Sequence, residues 1–231
     1  MVNDNYFIES AVLNKENLTL KSKRKHDEIE TYFYDQKKEK DYRIIFFNKI
    51  NNGLYKELIK SMNIFIEKYN VHKTLIIGLG NSLVIGDSLG PRTTSKVIAT
   101  NQYNDFLTIP KIALFNPEVV ERTGIMSFDL IKMVVRELKP DCIIMIDSLC
   151  TTNINNLNKC IEINDSGIIP GSYLKDNKEI NANTFNIPVI SLGIPLVFKY
   201  KNHYLTTCNI NQDLEQLSDL ISKVFNKLFV L

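Results

Sequence analysis

The hydrophobic pattern changes rhythm along the chain. Residues 1 to about 28 are polar and charged, with "KSKRKHDE" at Lys21 to Glu28, and predict a flexible N-terminal arm. Two β-prone runs follow, "ETYFYDQ" (Glu30–Gln36) and "YRIIFFNKI" (Tyr42–Ile50), split by the charged "KKEKD". They predict an antiparallel hairpin. From Gly53 to Tyr69, Leu54, Leu58, Met62, Phe65 and Ile66 recur at helical spacing and predict an amphipathic helix.

After Thr74 the pattern alternates. "TLIIGL" reads as a buried strand, and "GPRTTSKVIAT" opens a helix, with Pro91 suited to its first turn. "KIALF" is a short strand. "SFDLIKMVVRELK" is a helix with Phe128, Ile131, Val134, Val135 and Leu138 inward, stopped by Pro140. "DCIIMIDSL", "KCIEIN" and "IPVISLGIP" are further strands, and "NQDLEQLSDLISKVFNKLFVL" is a closing amphipathic helix. Apolar strands alternating with helices predict an α/β fold. Its sheet is expected to be mostly parallel, with helices on both faces and the hairpin at its N-terminal side. One domain over residues 29–231 is expected behind the arm.

Composition narrows this little. Of 231 residues, 44% are hydrophobic, and 28 basic against 26 acidic side chains leave a net charge of +2. That balance gives no push toward nucleic acid or membrane. Cys142, Cys150, Cys160 and Cys208 form no C-x-x-C pair and have no histidine at ligand spacing, so neither a disulfide framework nor a metal site is expected. The first residues show no secretory signal and the apolar runs are too short to span a bilayer. A cytoplasmic protein without cofactor is the expectation.

The chemistry gathers around "LIIGLGNSLVIGDSLGPR", Leu75 to Arg92. A glycine-rich loop after a strand raises a nucleotide site. However, Leu83 stands where a dinucleotide fingerprint needs its third glycine, and no Gly-Lys-Ser/Thr follows. The glycines instead permit a tight reversal, and the Asn81 side chain can satisfy loop backbone groups. The loop then presents Asp87, while Asp147 ends the "IIMI" strand. In such sheets the functional crevice lies beyond the carboxyl ends of the strands. Each aspartate has a plain alternative: Asp87 bonding the turn Ser88–Pro91, Asp147 capping its strand end at Ser148. If their strands are neighbours, the two carboxyls share one crevice and one proton near neutral pH. The ionised member takes a proton from water and the neutral one donates to a carbonyl oxygen. His26, His72 and His203 lie in no serine or cysteine triad context. "INDSGIIPGS" (Ile163–Ser172) is a loop of turn formers whose Asp165, Ser166 and Gly167 are placed as a crevice wall.

Four blocks together resemble the germination proteases, a family of aspartic-type endopeptidases. They are "GLGNSLVIGDSLGP" (Gly78–Pro91), "ERTGIMSFDLIKMVV" (Glu121–Val135), "KPDCIIMIDSL" (Lys139–Leu149), and "INDSGIIPGS" with "IPVISLGIP" (Ile187–Pro195). The resemblance runs from about Glu30 to the end. It implies a fold akin to hydrogenase maturation proteases. It implies cleavage of small acid-soluble spore proteins during germination, in the spore core or forespore, by catalytic Asp87 and Asp147. Amides around Gly78, Gly80 and Asn81, or Asp165, Ser166 and Gly167, would then support the oxyanion. It further implies an inactive precursor that loses an N-terminal propeptide, and a homotetramer. The sequence departs from the family at "FIESAVLNKENL" (Phe7–Leu18), where self-processing would act. It also departs at Ile169, at "YLKDN" (Tyr173–Asn177) and at "IPLVFKY" (Ile194–Tyr200). These departures keep open a relative that binds such proteins, or a partner, without cutting. A nickel-sensing maturation protease is a third alternative, for which no histidine falls at the expected place.

Overall fold

The computed structural model describes residues 18–36, 40–103, 109–169 and 178–230. Within it the alternating runs form the parallel part of a nine-stranded sheet. In chain order the strands are β1 (Thr19–His26), β2 (Ile29–Gln36), β3 (Lys40–Phe46), β4 (Lys73–Gly78), β5 (Lys111–Phe115), β6 (Cys142–Thr151), β7 (Cys160–Asn164), β8 (Val189–Tyr200) and β9 (His203–Leu205). The helices are α1 (Asn52–Tyr69), α2 (Leu89–Thr94), α3 (Val120–Thr123), α4 (Ser127–Leu138), α5 (Ala182–Phe185) and α6 (Ile210–Phe229). The spatial order is β1-β2-β3-β7-β8-β6-β4-β5, with β9 on β8.

The sheet is mixed, which corrects the expectation of a mostly parallel one. Strands β8, β6, β4 and β5 run parallel. The β1–β2, β2–β3, β3–β7, β7–β8 and β8–β9 pairings are antiparallel. The predicted hairpin is β2–β3, whose turn residues 37–39 lie outside the described residues. The expected arm is also corrected in part. Thr19–His26 form edge strand β1, held to β2 by the backbone ladder and by ion pairs of Lys23 and Lys25 with Glu30, and of Lys21 with Asp35. A lysine-rich strand suits a sheet edge, because its charges deter further pairing. Residues 1–17, the first part of the arm and possible propeptide expected over residues 1–28, lie outside the described residues.

Each of the parallel strands feeds two cores because successive side chains alternate between faces. Ile76, Ile144, Ile146, Ile190 and Leu192 meet α1 and α6 on one face. Leu75, Ile77, Ile143, Met145 and Val189 meet Ile131 of α4 on the other. Helix α1 starts where the Asn51 side chain accepts the Leu54 amide, and it stops at Asn70 in a left-handed conformation. Leu54, Leu58, Met62 and Phe65 are fully buried, each worth roughly 2 kcal/mol of removed apolar surface. Helix α2 is shorter than its sequence run. Thr93 and Thr94 turn their hydroxyls back onto the Leu89 and Gly90 carbonyls, and the helix ends there. Among the described residues no helix is long and apolar enough to cross a membrane.

Candidate active site

Strands β4 and β6 are hydrogen-bonded neighbours, with Gly78 opposite Ile146. The Leu79 amide extends that ladder to the Ile146 carbonyl at 2.9 Å. The chain then reverses at Gly80, whose φ is +109°. A Cβ at Gly80 would lie 2.0 Å from the Asp87 carbonyl oxygen, so only glycine lets the loop fold back on itself. A Cβ at Gly90 would lie 2.4 Å from the Leu79 oxygen and 2.6 Å from the Ile146 oxygen. The start of α2 thus packs backbone against backbone on the ends of β4 and β6. These glycines serve close packing that brings Asp87 over the strand ends.

Asp87 closes a 3-10 turn, Ile85–Asp87, and its Oδ2 accepts the Asn81 amide at 2.8 Å. The Asn81 Oδ1 accepts the Leu83 amide at 3.0 Å, the loop-satisfying role expected of it. Asp147 lies one residue beyond Ile146, and its Oδ1 accepts the Ser148 amide at 2.8 Å. Because β6 runs on to Thr151, Asp147 does not end its strand, which corrects that expectation; it stands just past the last pairing of β6 with β4, within reach of the charge of Asp87. Both aspartates keep a partly exposed edge, so water reaches them. Burial is nonetheless the largest influence on each.

Burial pushes Asp87 up to about 6. The Asn81 amide opposes it, and the charges of Glu118 and Glu121 add to it. Burial, then the charge of Asp87, push Asp147 up to about 8, against the Ser148 amide. The ordering is self-consistent. Asp87 ionises while Asp147 is still neutral, and its new charge then holds the proton on Asp147. Between those values the two carboxyls hold one proton, and the midpoints belong to the pair. Ionised Asp87 can accept a proton and neutral Asp147 can donate one.

The loop from Asp165 is not brought to this crevice. Strand β7 is antiparallel to β8, which is parallel to β6. The chain leaving Asn164 therefore emerges at the amino end of the parallel strands. Asp165 is fully buried there, its carboxyl bound by Lys68, Tyr69 and the Asp41 amide. The Ser166 amide donates to the Asn164 side chain, and the Gly167 carbonyl accepts from Ser191. These residues do not serve as crevice wall or oxyanion support beside Asp87. Of the other proposed donors Gly78, Gly80 and Asn81, the Asn81 amide is already committed to Asp87, and the intervening Leu79 amide to Ile146.

Residues not singled out from the sequence also stand at the site. Asn116 Oδ1 lies 2.7 Å from the Thr94 hydroxyl, and Glu118 Oε2 accepts the Ser82 amide at 3.2 Å. Arg122 donates to the Ser82 hydroxyl at 2.6 Å. All three follow β5, so the strand-end rule that found Asp87 and Asp147 also points to them. Among the described residues no three His, Cys, Asp or Glu side chains gather where they could hold a metal ion.

The family model described as "Germination protease" matches residues 6–214. The chain belongs to the germination protease family. It is 38% identical over 150 residues to the germination protease of Oceanobacillus iheyensis, covering 61% of this chain and 41% of that protein. It is 37% identical over 148 residues to that of Priestia megaterium (60% and 40%). The Bacillus subtilis protein is 36% identical over 145 residues (58% and 39%). The chain thus spans about two-fifths of the length of the germination proteases it matches. The model match takes in β1 through the start of α6, including the loop after β4 and the β6 strand that carry the two aspartates.

Proposed function

We propose that this chain is an endopeptidase whose Asp87 and Asp147 activate water against a peptide bond. Its proposed substrates are small acid-soluble spore proteins, cut in extended form during germination. The observation that carries the proposal is the placement of two largely buried carboxyls, Asp87 in the loop after β4 and Asp147 on the neighbouring β6 just past its last pairing with β4, where burial and mutual charge favour unequal protonation. Asp87 removes a proton as the water oxygen attacks the scissile carbonyl carbon. Asp147 gives its proton to the carbonyl oxygen, which becomes a hydroxyl. Neutral Asp147 thereby does the work of an oxyanion donor, a role the committed Leu79 and Asn81 amides do not fill. When the tetrahedral intermediate collapses, protonated Asp87 delivers its proton to the leaving nitrogen. The hydroxyl proton returns to Asp147 and the C–N bond breaks. Each carboxyl ends as it began.

With this activity go a place in the spore core or forespore, removal of a propeptide from within the N-terminal residues 1–28, and a homo-oligomer. The test is incubation of the purified protein with small acid-soluble spore proteins, beside Asp87→Asn and Asp147→Asn. Cleavage by the unaltered chain alone is expected. Equal cleavage by all three would remove the assignment. Tight binding without turnover by the unaltered chain would fit a non-cutting relative instead.

A further inference from the structure

We propose that Glu118 and Arg122 are positioning residues for Asp87, clamping the start of its loop through Ser82. This rests on the reading of Asp87 as the proton acceptor. Glu118 follows β5 with φ +60°, a left-handed conformation that a non-glycine residue adopts at some cost. Its carbonyl accepts the Ser127 hydroxyl at 2.7 Å, which pins that conformation from the start of α4. So held, its carboxylate accepts the Ser82 amide at 3.2 Å and lies 3.3 Å from Arg122 Nη1. The same Arg122 nitrogen donates to the Ser82 hydroxyl at 2.6 Å. Ser82 is therefore gripped at two atoms by an i,i+4 ion pair. The preceding residue, Asn81, gives its amide to Asp87 Oδ2. A continuous line of contacts runs from α3 to the acid.

The clamp also sets the charge around that acid. Glu118 and Glu121 both favour the protonated form of Asp87, and Arg122 partly neutralises Glu118 by contact. Asp147, on β6, lies within reach of the charge of Asp87. Arg92 of α2 turns to the Ser88 hydroxyl and to Glu215 of α6. Uncharged Thr206 and Val197 meet Gly86 from the β8–β9 side. The clamp makes a prediction of opposite signs that loosening alone does not make. Glu118→Gln keeps an acceptor for Ser82 but removes a negative charge, so Asp87 ionises more readily. Arg122→Gln leaves Glu118 without its cation, so Asp87 ionises less readily.

The test is the Asp87 carboxyl midpoint, followed by 13C NMR on the full chain, with the acid limb of the cleavage profile beside it. Glu118→Gln is expected to lower the midpoint by about half a unit and Arg122→Gln to raise it by a similar amount. Arg122→Lys should hold it near the original value. Ser82→Ala, which changes no charge, should leave the midpoint in place and lower kcat about tenfold with little change in KM. Shifts of the same sign in the two charge variants, or no shift in either, would overturn the proposal. The midpoints are read without substrate. If the chain cuts nothing, the proposed function fails while the clamp is still decided by NMR.

Discussion

Two buried acidic sites lie at opposite ends of one sheet, and their partners make them opposites. At the amino end of the parallel strands, Asp165 has an ammonium, a phenol and an amide for partners. Burial works against the charge of Lys68, but its bonds to Asp165 and Asp41 prevail and hold the ammonium above its ordinary value. Burial and Asp165 likewise push the Tyr69 phenol up. At the carboxyl end, the hydrogen bonds to Asp87 and Asp147 come from single backbone amides. A carboxylate with a cation is satisfied and ties elements together. Two carboxyls without one retain a proton between them, which is the state a proton-transfer site needs.

Substitutions at the two ends should therefore fail differently. The largest effect is on turnover. Asp87→Asn or Asp147→Asn should lower cleavage by about a thousandfold or more, while Asp165→Asn should leave cleavage per folded molecule near that of the unaltered chain. Stability should reverse the ranking. Asp165→Asn breaks a buried ion pair and should cost about 3 kcal/mol in denaturant unfolding. Gly80→Ala forces its new Cβ against the Asp87 carbonyl from a positive φ and should cost about 2 kcal/mol along with activity. Asp147→Asn should stabilise the fold. The unfolded chain ionises this carboxyl near 3.8, whereas the fold keeps its proton up to about 8. The native state thus binds more protons across that window, and stability falls as pH rises through it. Removing the group should add about 1–2 kcal/mol at pH 7, after allowance for its partly exposed edge. It should also flatten that slope. Destabilisation by Asp147→Asn at pH 7 would contradict the contrast.

The same two ends show what the sequence carries. Asp87 and Asp147 were legible because long apolar runs mark β4 and β6 and the polar residues follow those runs, although the continuation of β6 to Thr151 was not legible. The direction of β7 was not legible. A run such as "CIEIN" reads alike whether its strand is parallel or antiparallel, and pairing partners far apart in sequence decide it. That one unknown carried Asp165, Ser166 and Gly167 from the crevice to the opposite end. Strand β1 was hidden for another reason. Its outward lysines read as a solvated arm, because an edge strand can be held by its backbone ladder and needs few apolar side chains. Glu118 and Arg122 were missed because "NPEVVERTG" shows no glycine motif, and their role appears only when Ser82 is seen between them.

The paired carboxyls should carry a single proton near neutral pH. Side-chain 13C NMR titration of the full chain, assigned with the two Asn variants, tests it most directly. Midpoints near 6 for Asp87 and near 8 for Asp147 are expected, with the upper one falling when Asp87 is replaced by Asn. Two independent titrations near 4 would contradict it.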